Sequence, residues 1–127
     1  MPRAILDESR MHASIQGRIA TNQQAIVQEV QSALARHAVV VVGMGMNPFP
    51  RKARRLLDAA AVPHHYLEYG SYLNTWRERN ALKMWTGWPT FPMVFVHGVL
   101  VGGNSDVQKL IASGEWDALL RAGSAAR

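Results

Sequence analysis

The run Ala38-Val39-Val40-Val41-Val42 narrows the fold more than any other stretch of this chain. β-Branched valines favour extended backbone, and a strand with one wet face would alternate apolar with polar residues. This run does not alternate. It therefore predicts a strand buried on both faces, central in a sheet that carries helices on either side. It is also far shorter than the roughly 20 apolar residues of a membrane-spanning helix, and no longer run occurs, so no membrane partner is expected.

The rest of the pattern fits around that strand. Thr21-Asn22 offer N-cap oxygens before "QQAIVQEVQSALARH", where Ile26, Val27, Val30, Ala33, Leu34 and His37 recur at helical spacing. The residues before them read as an extension, loosely ordered over its first dozen positions. After the strand, Gly43 to Met46 read as a loop, and a helix from Pro48 buries Ala53, Leu56, Leu57, Ala60 and Ala61 until Pro63 stops it. His64 to Tyr69 form a second strand candidate. Tyr72 to Trp85 read as a helix with Ser71 as cap and Gly87 just beyond its end.

Met93 to Val96 and Val99 to Val101 are strands joined by His97-Gly98, a connection of hairpin length, so they must be antiparallel. Asn104 or Ser105 caps a short helix through Ile111. After a break at Gly114 comes a final amphipathic turn or two around Trp116, Leu119 and Leu120. The class is α/β: a four-stranded mixed sheet with helices on both faces and an extra N-terminal helix. The expected division is an extension over 1–37, a domain over 38–122 and a frayed tail over 123–127.

At the joint between first strand and next helix stands Asn47-Pro48-Phe49-Pro50. Asparagine is a favoured N-cap, and Pro48 suits the first helical position. Pro50 falls third, where an amide has no intrahelical acceptor, so its missing N–H costs little. That missing donor also weakens the helix start as an anion site.

The chain contains no cysteine, which excludes disulfides, zinc–thiolate sites and thiol chemistry for these residues. Fourteen Lys and Arg against nine Asp and Glu leave a formal charge of +5, clustered at Arg51-Lys52-Arg54-Arg55 and Arg77-Arg79-Lys83. That balance favours anionic partners. No nucleic-acid motif accompanies the clusters, and nucleic acid is not expected. The five histidines show no metal-ligand spacing; His64 and His65, adjacent on a strand, point to opposite faces. Asp7 and Glu8 argue against a transit peptide, so a cytoplasmic location is expected.

Three stretches, "PRKARRLLDAAAVP", "LKMWTGWPTFPMVFVHGVLVGG" and "VQKLIASGEWDALL", resemble the glutaredoxins, small proteins of the thioredoxin fold that use glutathione. The resemblance runs from about Val39 to Leu120 and is closest to the monothiol branch. It implies that Asn47 and Pro50 occupy the positions of the family's catalytic cysteine and second cysteine or serine, leaving no catalytic residue. A thiolate there would be stabilised by the helix N-terminus; an asparagine amide cannot attack a disulfide or ligate iron. Met44 likewise stands where the family usually has lysine.

The glutathione-binding residues implied are Arg79 for the glycine carboxylate, Phe91 with a cis Pro92 for the cysteinyl part, and Gly103, Asn104 and Ser105 for the γ-glutamyl end. Ser105 stands where the monothiol pattern has an acid. The resulting expectation is a non-catalytic binder of glutathione or of a glutathionylated or anionic peptide, with no metal or iron–sulfur cluster. A protein-interaction scaffold of the monothiol type is the alternative. Glutathione-dependent thiol–disulfide exchange or [2Fe–2S] carriage would need the cysteine to have been replaced artificially.

Overall fold

A computed structural model of the chain describes residues 3–44, 48–69 and 76–125. After a short 3-10 turn at Glu8–Arg10, the elements are α1 (Ala13–Thr21), α2 (Gln24–Arg36), β1 (Val39–Gly43), α3 (Pro48–Ala59), β2 (His65–Glu68), α4 (Trp76–Thr86), β3 (Met93–Val96), β4 (Val99–Gly102), α5 (Asn104–Ser113) and α6 (Glu115–Ala125). The strands form one sheet in the order β2-β1-β3-β4. β1 and β2, joined through α3, are parallel; β1–β3 and β3–β4 are antiparallel.

The valine run behaves as its composition demands. Val40 and Val42 face a core built with Ile26, Val30 and Ala33 of α2 and with Ala81 and Leu82 of α4. Val39 and Val41 face the opposite core, with Ala53 and Leu57 of α3, Val107 of α5 and Trp116 of α6. All four are essentially inaccessible to solvent. Two apolar cores sharing one strand leave β1 no polar face, which is why the sequence shows none.

α3 starts at Pro48, which places Pro50 third in the helix as predicted. It ends through Ala61 in the left-handed region, φ +57°, with the Val62 N–H donating to Leu57 O at 2.8 Å. That six-to-one bond is the Schellman closure usually served by glycine. At the end of α2, the His37 ring stacks on His65 of β2, centroids 4.1 Å apart and nearly parallel. Tyr69 donates to Glu29 at 2.8 Å, tying the chain after β2 to α2 as well.

Several boundaries differ from the sequence reading. The extension contains α1, which the pattern did not reveal because only Ile15 and Ile19 recur and Gly17 lies between them. Local polar bonds hold it: His12 Nδ1 accepts from the Ser14 N–H at 3.1 Å, and the Gln16 amide donates to Glu8 O and Met11 O. Thr21 closes α1 by donating to Gly17 O instead of capping α2, whose N-cap is Gln23 at φ +50°. α5 is capped by Gly103, not by Asn104 or Ser105, which are its first helical residues. α6 is longer than the turn or two expected and continues to Ala125. The predicted start of α4 near Ser71 and Tyr72 lies outside the described residues.

Candidate functional site

The loop between α4 and β3 meets the start of α5 at one end of the sheet. Thr86 fixes the loop: its hydroxyl donates to Leu82 O at 2.8 Å and accepts from the Trp88 N–H at 3.1 Å. Phe91–Pro92 is a cis peptide bond, as the resemblance implied. On the other side, Gly102 adopts φ +117° and hands the chain from β4 into α5. A Cβ there would stand 2.5 Å from Asp106 Oδ2, so this position needs glycine for both conformation and space. Gly103 has ordinary dihedrals, and a Cβ on it would meet Pro92 O at 3.5 Å and the Trp88 indole at 3.9 Å, in ordinary contact.

These segments enclose a cavity of about 300 Å³ lined by Trp88, Thr90, Phe91, Pro92 and Gly103 through Asp106. Five of the predicted site residues, Phe91, Pro92, Gly103, Asn104 and Ser105, thus share one wall system. Two buried polar atoms in it have no hydrogen-bond partner: the donor Trp88 Nε1 and the acceptor Asn104 Oδ1. Buried polar groups are satisfied almost everywhere in folded proteins, and His97 Nδ1 and Trp116 Nε1 are unpartnered too, but only Trp88 and Asn104 belong to the wall of this cavity.

The start of α5 also presents first-turn amides with no intrahelical acceptor, a favourable place for an anion. Asp106 moderates this, because its Oδ2 already accepts from the Gly103 N–H at 2.9 Å and brings a negative charge to the same end. Asn104 lines a second cleft as well, opening toward Lys52 and Arg55 of α3. Lys52 and Arg55 of the basic α3 cluster line that second cleft and not the cavity itself.

The other predicted residues are not among those lining this cavity. Arg79 is buried in α4, only 7% exposed, and engaged with partners of its own; it is not in the cavity wall. Asn47 lies outside the described residues. Pro50 is placed as a backbone position in α3, with its side chain outside the description. Met44, where the resemblance led one to look for a lysine, is buried in the core that contains Phe91 and Met93. A thioether there packs where an ammonium would have to reach solvent or a ligand. Trp88 and Asp106 were missed as site residues: the sequence shows a tryptophan suited to packing and a helix acid, and only assembly shows the first unpaired and the second bonded to Gly103.

Among the described residues no group of three His, Asp or Glu side chains could hold a metal, and no helix is long and apolar enough to cross a membrane. An iron–sulfur cluster needs thiolate ligands, and the 127 residues contain none; the donor set does not fit it.

Comparison with known proteins agrees with the geometry. A family model described as glutaredoxin matches residues 39–101. A glutaredoxin-like protein of Dictyostelium discoideum is 44% identical over 89 residues, 70% of this chain and 72% of that protein. A probable monothiol glutaredoxin 2 of Rickettsia prowazekii is 42% identical over 94 residues, 72% of this chain and 88% of the relative. Among solved structures, a buckwheat glutaredoxin–glutathione complex superposes with a TM-score of 0.69 at 21% identity, covering 82% of this chain and 94% of that one. With the sheet order, the cis-proline loop and the glycine turn into α5 all in place, the chain belongs to the glutaredoxin family, with monothiol glutaredoxins among its relatives and no cysteine of its own.

Proposed function

We propose that this protein binds glutathione, or the glutathione moiety or acidic segment of a peptide, without performing thiol chemistry on it. The observation that carries the reading is the cavity in which Phe91, cis-Pro92, Gly103, Asn104 and Ser105 converge beside an unpaired donor, Trp88 Nε1, and an unpaired acceptor, Asn104 Oδ1. A zwitterionic peptide offers groups that match both. The amides at the start of α5 suit a carboxylate, and Lys52 and Arg55 across Asn104 extend the attraction to a longer anionic peptide.

Glutathione would therefore be a bound ligand, not a reactant. The chemistry it brings to glutaredoxins is its thiol; these residues supply no thiolate to exchange with it.

Calorimetric titration with reduced glutathione, paired with amide NMR, tests the reading. Binding in the micromolar to millimolar range should shift the Phe91 and Ser105 amides. Absence of heat and of shifts at millimolar ligand would reject it. An Asn47→Cys variant addresses the chemical half: deglutathionylation activity gained by that single change would show that the groove is competent and that the cysteine alone was lacking.

A second reading, a scaffold that recruits a protein, is favoured by the apolar side chains that the N-terminal extension leaves in solvent. Ile5, Leu6, Ile15 and Ile19 are all exposed, which a monomer with no partner gains nothing by displaying.

A further inference from the structure

A large cleft separate from the cis-proline cavity lies between the N-terminal extension and helices α2 and α4. Helix α1 buries none of its residues, and its Ile15, Arg18 and Ile19 face Val27 of α2 and Ala81, Met84 and Trp85 of α4 only across an open cleft. Arg3 holds the beginning of the extension at the far end of α4: its guanidinium packs on Gly87 and reaches Trp85 O at 3.5 Å, where helix carbonyls favour a cation. Under this strap runs a trough of about 700 Å³ walled by Ile15, Ile19, Val27, Ala81, Met84 and Trp85. Arg18 stands among them. The trough continues past Met84 and Asn22 into a smaller cleft of about 390 Å³ that Arg77 and Lys83 line. No described carboxylate lines either part.

The form of the trough decides between occupants. Its walls remain open, with Ile15 39%, Ile19 48% and Met84 61% exposed, whereas a small molecule is held by a site that buries most of its surface. Side chains projecting from a larger partner fit such a trough better than a free amphiphile does. The walls are helices, and an extended segment would instead pair with a strand edge, offered here by β2 and β4 on the sheet. A second copy docked symmetrically through the same trough would bring Arg18 and Lys83 near the same cations in a protein of charge +5. An acidic partner meets no such repulsion.

We infer that the trough between α1 and α4 is a docking groove for an acidic amphipathic helix of another protein, apolar side chains seated between Ile19 and Met84 and carboxylates paired with the Arg18 and Lys83 rim. Met84 and the lightly anchored α1 let the groove adjust to its guest, since methionine repacks readily and α1 has little burial to lose. Ile15, Ile19 and Met84 do not line the cis-proline cavity, whereas Lys83 Nζ also lies 5.7 Å from the centroid of the Phe91 ring in that cavity's wall.

The test selects helices from a displayed library of amphipathic peptides about 16 residues long, randomised at the polar positions, against the full chain. Binders should be enriched in Asp and Glu, and should shift the NMR signals of Ile15, Ile19, Met84 and Trp85. Affinity should fall at least about tenfold with Met84→Glu and again with Lys83→Glu. Met84 is exposed, so its replacement should leave the circular dichroism spectrum intact; Ile19→Glu gives an independent second variant on the opposite wall. Binders enriched in Lys and Arg, binders indifferent to both wall variants, or no binders at all would overturn the inference. So would laurate shifting the same signals where every peptide fails, or sedimentation showing that the chain fills the groove with its own copy.

Discussion

At the residue scale, two adjacent glycines have different duties. Gly102 is required by its backbone, at φ +117° with Asp106 directly above it, whereas Gly103 has ordinary dihedrals and only leaves open space beside Pro92 and Trp88. Gly102→Ala should therefore destabilise the fold, by about 1–3 kcal/mol in urea titrations, from positive-φ strain plus displacement of the Asp106 carboxylate. Gly103→Ala should cost much less stability while weakening glutathione binding severalfold; equal stability losses would contradict this division. Ala61 offers the reverse experiment. It closes α3 at φ +57° in an exposed position, and Ala61→Gly should raise stability by about 0.5 kcal/mol, the strain relieved exceeding the entropy added to the unfolded chain. The sequence "WPTFPMVFVHGVLVGG" revealed the cis-proline loop and the glycine turn, but it gave no sign that Trp88 Nε1 and Asn104 Oδ1 would be left without partners. Hydrogen-bond satisfaction depends on every group within reach, and those groups come from segments far apart in the chain.

At the scale of elements, burial separates what is structural from what is appended. Leu57 of α3 is fully buried between β1 and α5, so Leu57→Ala should cost about 2–5 kcal/mol, the range for removing a core leucine. Removing residues 1–20 should change stability by less than about 1 kcal/mol, because α1 buries no side chain and is held by hydrogen bonds largely within its own segment. Chemical denaturation of the two variants side by side checks both; a collapse of the truncated chain would assign the extension a structural role instead. The same contrast explains what periodicity could reveal. α2, with Ile26, Val30 and Ala33 buried, was legible in the pattern, while α1 has no buried stripe and so left no apolar period to read.

Across the whole molecule, tyrosine ionisation contributes a loss of stability at alkaline pH. Burial first, then the hydrogen bond to Glu68 and the charge of that carboxylate, push the Tyr66 phenol up to about 12, against the favourable but smaller influence of Arg54 and Arg51. Arg54 also stacks over its ring at 4.2 Å. Tyr69 is raised as well, by burial and by Glu29. A raised folded-state value means that the native state holds the proton more tightly. This contribution to stability is complete below the ordinary tyrosine value of 10.0 and is lost as pH rises from there through about 12. Melting temperatures stepped across that window should fall, and Tyr66→Phe should make the fall shallower; an unchanged slope would remove Tyr66 as a cause.

The sequence by itself determined that β1 lies between two cores, that β3 and β4 form a hairpin, that α3 begins on a proline, and that no thiol is present. Each of these follows from local chemistry: β-branched runs, turn length, a fixed φ, and composition. Only the tertiary structure decided that Met44 turns into the core, that Arg79 is buried within α4, and that the extension borders an open apolar trough. Those outcomes depend on which surfaces meet when distant segments pack, and the space between packed surfaces belongs to no single stretch of chain.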